Sequence, residues 1–227
     1  MLWNKINVDK KIVLSLPMYF EIDSNVKLDI KVNKDVNTKL VIIGNSDYEI
    51  NVDLDSNASL IINSLNKNNS VNVKVNLLSK SNITYNHSVV SDKDSINSFI
   101  INHIENDSSS NISNYGINTG NNKLFFTIDG VVNKKLSNIT CNQSSKIINF
   151  KDGNSKIIPN LIIDSNDIIA NHSAYIGEIG EEEKFYMKSR GINEENIRKI
   201  VYEATLLGKM ELDEEKEEFN RRINEWW

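Results

Sequence analysis

One histidine near the end of the chain has the residue type for metal chemistry. His172 lies in the sequence Asn-His-Ser-Ala, after two apolar runs that are separated by the polar turn 164–167. A neutral imidazole is a suitable ligand for iron. The alternative is a histidine packed in the core, with its ring nitrogens hydrogen-bonded to the backbone. On the residues alone, the packed histidine is the favoured interpretation of His172.

The single cysteine, Cys141, is the second candidate ligand. A thiolate accepts sulfur and binds iron, whereas a buried thiol behaves as a small apolar side chain. One cysteine excludes an intramolecular disulfide. It also cannot hold an iron–sulfur cluster alone, because such clusters usually take about four protein ligands. Any cluster would therefore have to be shared across an interface.

The remaining polar residues do not form a recognisable catalytic set. His87 and His103 are isolated in strand-like sequence, which predicts half-exposed, structural positions. Asp164 and Asp167 belong to a Ser/Asn-rich turn, which explains them without a catalytic role. The sequence contains no glycine-rich phosphate loop, no zinc-spaced Cys/His cluster and no Ser/His/Asp arrangement. We therefore expect that this chain is not an enzyme.

The elements that carry these residues are predicted to be strands. From residue 25 apolar and polar residues alternate, as in 26–32, 48–54 and 71–77. Alternation of this kind is typical of strands with one buried face. The strands recur about every 10–12 residues, which fits a sandwich, a barrel or a β-solenoid. Few tight hairpin signals are present, which mildly favours the solenoid.

The sequence divides into three parts. Residues 1–24, interrupted by Pro17, are predicted to be an N-terminal cap, and residues 25–190 to be the β-rich core. Residues 191–227 are predicted to be helical. Asn193 is a suitable N-cap, an apolar stripe follows along one helix face, and Gly208 is expected to end that helix. A second helix is predicted from about Leu212. The apolar residues of these two helices are Ile197, Ile200, Val201, Ala204, Leu207, Leu212, Phe219, Ile223 and Trp226.

Charge and hydropathy restrict the partners and the location. The net charge is −5, and residues 1–177 carry as many acidic as basic side chains, so the excess negative charge lies in the tail. Because no basic cluster could neutralise phosphates, we expect no nucleic-acid partner. The N-terminus does not resemble a signal peptide, and no apolar run approaches the roughly 18 residues of a spanning helix. We therefore predict no membrane association and a reducing cytoplasmic location.

The segment 159–192, PNLIIDSNDIIANHSAYIGEIGEEEKFYMKSRGI, carries a family resemblance. Its proline, acidic turn, His-Ser-Ala, spaced glycines and closing F-Y-M-K-S-R-G-I resemble the C-terminal core of the SufB/SufD family, and the likeness extends back to about Gly116. These proteins are scaffold subunits of the SUF machinery for iron–sulfur cluster assembly. The resemblance implies a mostly β fold, a right-handed parallel β-helix with C-terminal α-helices.

The resemblance also implies roles for particular residues. His172 matches a histidine that is implicated in cluster assembly in SufD-like subunits. Ser173 follows it, where SufB-like chains usually carry Glu, which indicates the SufD-like type and removes one candidate ligand. The family cysteine aligns nearer Ser144 than Cys141, and a shift of three along a strand would point the thiol to the opposite face.

The resemblance finally implies partners. A SufD-like subunit pairs with itself or with a SufB-like subunit, and it binds a SufC-like ABC-type ATPase through the helical stretch that contains Ile197, Ile200, Val201 and Ala204. A cluster would be transient, with none bound stably by this chain alone. Two alternatives stay open. One is a cytosolic interaction domain that has lost cluster chemistry, and the other is a β-helix carbohydrate-active enzyme, which the charge pattern disfavours.

Overall fold

A computed structural model describes residues 2–150, 152–210 and 215–226. They form fifteen strands followed by three helices. The strands are β1 Asn4–Ile6, β2 Lys10–Val13, β3 Met18–Ile22, β4 Val26–Val32, β5 Asn37–Gly44, β6 Tyr48–Leu54, β7 Ser59–Lys67, β8 Val71–Leu77, β9 Asn82–Ser91, β10 Ser95–His103, β11 Ser109–Asn118, β12 Lys123–Val132, β13 Ser137–Asn149, β14 Asn154–Ile163 and β15 Asp167–Gly177. The helices are α1 Glu181–Ser189, α2 Glu194–Leu207 and α3 Glu215–Glu225.

The strands form two parallel sheets that wind as a solenoid. Odd-numbered strands make an eight-stranded sheet and even-numbered strands a seven-stranded sheet, each in chain order. Each turn of the chain therefore adds one strand to each sheet. The prediction of a parallel β-helix with C-terminal helices is confirmed. Crossovers between parallel strands are right-handed in about 98% of cases, which is the handedness expected here.

Apolar side chains from alternate strand positions fill the space between the two sheets, which we call the lumen. The predicted alternation is observed: β4, β6 and β8 bury every second residue. The large lumen residues include Tyr85, Phe99 and Phe126, all fully buried. Because each coil stacks on the previous one, the core is continuous along the axis. Residues 4–22, inside the predicted N-terminal cap, form the strands β1, β2 and β3 at one end of this stack.

The corners between strands depend on left-handed backbone. Asp35, Asn57, Lys80, Asp107 and Asn138 all have positive φ angles between 55° and 62°. Asn and Asp tolerate this conformation better than most residues, so the Asn/Asp-rich composition supplies the turns. Corner side chains also bond between coils: the Asn57 amide donates to Asp35 over 2.7 Å, and the Asn138 amide donates to Asp107 over 2.7 Å.

The helical part begins earlier than predicted. The last strand ends at Gly177 and α1 starts at Glu181, ten residues before the predicted boundary at 191. This helix buries none of its residues, and its apolar residues 185–187 are consecutive instead of three or four apart, so the sequence shows no apolar stripe. The start of α2 is as predicted, because the Asn193 side chain accepts a hydrogen bond from the Asn196 backbone N–H at 2.8 Å. Leu212 lies outside the described residues.

The helices α2 and α3 cover the outer face of the eight-stranded sheet. A second apolar cluster forms there between sheet residues such as Val41 and Ile117 and helix residues such as Leu206 and Phe219. The Ser88 hydroxyl donates to the Leu206 carbonyl over 2.6 Å and fixes the end of α2 on β9. Among the described helices, none has the length and apolar character needed to cross a lipid bilayer.

Candidate functional site

Both sheets end in open edges at the C-terminal end of the coil. β15 pairs only with β13, and β14 pairs only with β12. No further coil of the described chain covers them, and β15 buries none of its residues. Apolar side chains face solvent there: Ile176, on the lumen side of β15, is 43% exposed, and Ile162 and Ile169, on the outer faces of β14 and β15, are 55% and 63% exposed. Unpaired strand edges with exposed apolar side chains are templates for pairing with another chain.

His172 lies on β15 at the mouth of the lumen. It stacks in register on Gln143 of the previous coil, and Gln143 is buried inside the lumen, where its amide donates to the Asn160 carbonyl over 3.1 Å. Residues in register share a face, so His172 belongs to the lumen side of β15. Its side chain is exposed because nothing described lies above it. The packed-histidine interpretation is therefore wrong for this side chain, and the imidazole is accessible to a ligand from outside.

Cys141 lies one coil below this mouth and is 2% exposed. Its sulfur packs against Gly130 of the opposite sheet, where a Cβ would come within 2.5 Å of Sγ. Burial raises the pKa of the Cys141 thiol, and a hydrogen bond with Ser110 opposes that rise. A buried, protonated thiol is a weak nucleophile. As long as this coil stays covered, Cys141 behaves as a core residue.

The fold brings the two predicted ligands to the same end and side of the lumen. Ala170 stacks on Cys141, and His172 is two residues further along the same strand. From strand spacing and rise, their Cα atoms are about 8 Å apart. Only the small Ala170 side chain lies directly above the thiol. These two side chains supply fewer ligands than a cluster takes, and no group of three His, Cys, Asp or Glu side chains suited to a metal ion occurs within the described residues.

Ser144, where the resembling family has its cysteine, points to the opposite face from Cys141. It alternates with the buried Gln143 and Ser145, and it accepts a hydrogen bond from Ser173 over 3.2 Å on the outside of the sheet. The predicted change of face over three positions is thus observed. Cys141 is a lumen residue, whereas Ser144 and Ser173 form part of the outer surface.

His87 and His103 are not half-exposed, as predicted, but fully buried in the lumen. His103 bonds to the hydroxyls of Ser108 and Ser110 at 2.8 and 3.0 Å, and His87 bonds to Ser64 at 3.2 Å. Burial lowers the pKa of His103 to about 4 and that of His87 to about 3, so both are neutral at pH 7.

Sequence reasoning missed the burial of these histidines. The strand pattern shows which positions point inward, but it does not show which polar groups would meet a histidine there. His103 is at an inward position of β10, in phase with Phe99 and Ile101. That phase was visible in the sequence. The hydroxyl partners of His103 were not visible in the sequence. Ser110 belongs to the next strand, and the shape of the corner between β10 and β11 decides which residues of the two strands face each other. The same Ser110 also reaches Cys141, its register neighbour on β13.

The predicted partner-binding stripe on α2 divides between two faces. Ile197 is fully buried beneath the helix and cannot contact another protein. Ile200 is 46% exposed, Val201 is half-buried and Ala204 is exposed. The stripe therefore both packs onto the rest of the chain and leaves an apolar surface. Ile197 is buried where the helix packs on the sheet, whereas Ile200 and Ala204 stay accessible to a partner.

The helix α1 adds a second, larger part to this exposed surface. Phe185 is 75% exposed and Tyr186 is 60% exposed. A nearly apolar cleft of about 480 Å³ lies between α1 and α2, lined by Ile179, Glu182, Glu183, Tyr186, Met187 and Val201. Exposed aromatic side chains beside an apolar cleft are typical of protein-binding surfaces. We call the surface formed by Phe185, Tyr186, Ile200 and Val201 the helical face.

Comparison with known protein families gives one match that spans most of the chain. Residues 46–205 match the family described as SUF system FeS cluster assembly, SufBD core domain. The match begins before β6 and continues to the last turn of α2, so it includes Cys141, His172 and all four residues of the helical face. No curated protein matches the chain.

Proposed function

Because the chain belongs to the SufBD core-domain family of SUF iron–sulfur cluster assembly, we propose that it is a SufD-like, non-enzymatic scaffold subunit of that machinery. The observation that carries this proposal is the position of His172. It is an exposed imidazole on the terminal strand of a solenoid whose two sheets are both open for pairing. Ser173 beside it, in place of Glu, supports the SufD-like type.

The open edges support pairing with a second subunit, either another copy or a SufB-like chain. Strand addition at β14 and β15 would satisfy the free backbone groups. It would also cover Ile162, Ile169 and Ile176, which are between 43% and 63% exposed. His172 would then lie at the junction between two lumens. Ligands from both subunits could complete a transient cluster that neither chain holds alone.

The helical face supports contact with a SufC-like ABC-type ATPase. Its exposed aromatic and aliphatic side chains lie on α1 and α2, outside the solenoid. The helix α2 is bonded to β9 through Ser88, and its last turn lies beside β13 and β15. A nucleotide-driven movement of the ATPase that pulled α2 would therefore act on β9 and β11 and, through β13, on the strand β15 that carries His172. Such a movement would open the coil above Cys141.

Anaerobic reconstitution with iron and sulfide tests the proposal. Paired with a SufB-like partner or with a second copy of itself, the full chain should gain visible absorbance from a cluster, and His172→Ala should lose most of it. Asn171→Ala is the matched control, since Asn171 is the exposed neighbour on the other side of the same strand. Equal absorbance in wild type and His172→Ala would refute a ligand role for His172.

One observation favours the second candidate, an interaction domain without cluster chemistry. The only thiol in the chain is buried, and burial raises its pKa. If neither the wild type nor its complex gains absorbance on reconstitution, while the complex with the ATPase still forms, this second function is the correct one.

A further inference from the structure

Two rows of side chains run across three neighbouring strands on the outside of the eight-stranded sheet. The register aligns Ser113, Ser144 and Ser173 on β11, β13 and β15. Two residues further along, it aligns Tyr115, Lys146 and Tyr175 in the same way. The Lys146 ammonium lies 5.6 Å from the centre of the Tyr175 ring. A single cation thus stands between two tyrosines and beside a row of hydroxyls.

A cavity of about 370 Å³ lies between these rows and the C-terminal end of α2. The helix side is lined by Ala204, Thr205, Gly208 and Lys209. Ala204 has only a methyl side chain and Gly208 has none, which leaves room between helix and sheet. The helix cannot collapse into the space, because the Ser88–Leu206 hydrogen bond and the apolar cluster beneath hold it in place.

The charge of the cavity is positive. Lys146 and Lys209 both line it, and none of the described residues that line it is acidic. Within the described part of the chain, neither ammonium forms an ion pair with a carboxylate. The C-terminal end of α2 contributes roughly half a negative charge, which two full positive charges exceed. The Ser144 hydroxyl, which accepts from Ser173, and the Thr205 hydroxyl each add a hydrogen-bond donor, one on each wall.

We propose that this cavity binds the phosphate group of a small phosphorylated molecule. A phosphate offers several strong acceptor oxygens, which suits two ammonium groups and hydroxyls from opposite walls better than the two oxygens of a carboxylate. Tyr175 is 52% exposed and presents its ring to the remainder of such a ligand. The site goes beyond the proposed scaffold function, since it involves neither His172 nor Cys141. Ligand bound there would bridge α2 and β15.

Equilibrium dialysis of the full chain at low ionic strength tests this site with three probes: inorganic phosphate, phenyl phosphate and phenol. Phosphate should bind saturably at one site per chain, phenyl phosphate more tightly because of Tyr175, and phenol not measurably. Lys146→Gln should weaken binding by about tenfold or more, because it removes a charged donor. Ala204→Leu should abolish binding, because it fills the cavity while leaving the charges in place.

Two control variants make the result decisive. Lys156→Gln removes one positive charge, as Lys146→Gln does, but from the seven-stranded sheet. Lys199→Leu introduces a leucine, as Ala204→Leu does, but at an exposed position of α2 outside the cavity. Both should bind like wild type. The proposal is overturned if phosphate and phenyl phosphate fail to bind saturably. It is equally overturned if Lys146→Gln and Ala204→Leu, shown to be folded by circular dichroism, bind like the controls.

Discussion

At the scale of single residues, the lumen between Cys141 and Gly130 is packed without spare room. A Cβ on Gly130 would lie 2.5 Å from Cys141 Sγ and 3.0 Å from the Gln143 side-chain nitrogen. The glycine is therefore needed for close packing and not for backbone freedom, since its φ angle is not in the left-handed region. The Cys141 thiol is thus enclosed by its neighbours, and burial raises its pKa and favours the protonated form.

We predict that Gly130→Ala lowers the free energy of unfolding by about 1–3 kcal/mol, because overpacking forces neighbouring side chains aside. Urea denaturation measures the change. The double variant Gly130→Ala/Cys141→Ala should recover much of the loss, because it removes the sulfur that the new methyl group meets. Gly180→Ala is the matched control, with its nearest contact at 3.4 Å. Equal losses in single and double variants would show that Cys141 is not the group displaced.

At the scale of elements, α2 has one face buried against the sheet and another exposed to solvent. Ile197 is fully buried, whereas Ile200, three residues later, is 46% exposed. The amphipathic sequence pattern identified the apolar stripe, but it did not show which of its residues are buried and which are exposed. The division depends on the angle at which the helix lies on β9 and β11, which the period of apolar residues does not specify.

We predict that Ile200→Asp abolishes binding to a purified SufC-like ATPase while the melting temperature stays within a few degrees of wild type, since surface changes cost little. Isothermal titration calorimetry and thermal melting measure the two effects. Lys199→Gln, at an exposed position of the same helix that is not an i±3 or i±4 neighbour of Ile200, changes the charge equally and should bind normally. Ile197→Asp should instead destabilise the fold, because it buries a charge. Undiminished affinity of Ile200→Asp would exclude the helical face as the ATPase contact.

At the scale of the whole molecule, the solenoid is asymmetric. Its N-terminal end carries the short strands β1 and β2, of 3 and 4 residues, whereas its C-terminal end carries β14 and β15, of 10 and 11 residues. Short edge strands resist pairing with another chain, and long ones promote it. Assembly is therefore expected at the end that carries His172.

We predict that Ile169→Lys makes the protein monomeric, or prevents pairing with a SufB-like chain, because a charge on an edge strand opposes strand addition. Sedimentation velocity gives the oligomeric state. Val13→Lys introduces the same charge at the other end of the coil, where Val13 is 57% exposed, and should leave assembly unchanged. If Val13→Lys dissociates the subunits and Ile169→Lys does not, pairing occurs at the opposite end.

Much of the fold was predictable from local sequence. Alternation at 26–32, 48–54 and 71–77 predicted strands with one buried face, and these are β4, β6 and β8. Asn193 marked the start of α2. These features depend on side-chain periodicity and on capping, which act over a few residues and are therefore legible in the chain itself.

The tertiary structure alone decided which residues meet. Cys141 stacks under Ala170 and Gln143 under His172, across 29 residues, and the length and shape of the intervening corners set that register. A shift of one residue would turn every side chain to the other face. The exposure of the His172 side chain also depended on the tertiary structure. An alternating strand pattern is the same in a coil covered on both sides and in a coil at the end of the solenoid, and His172 lies in the latter.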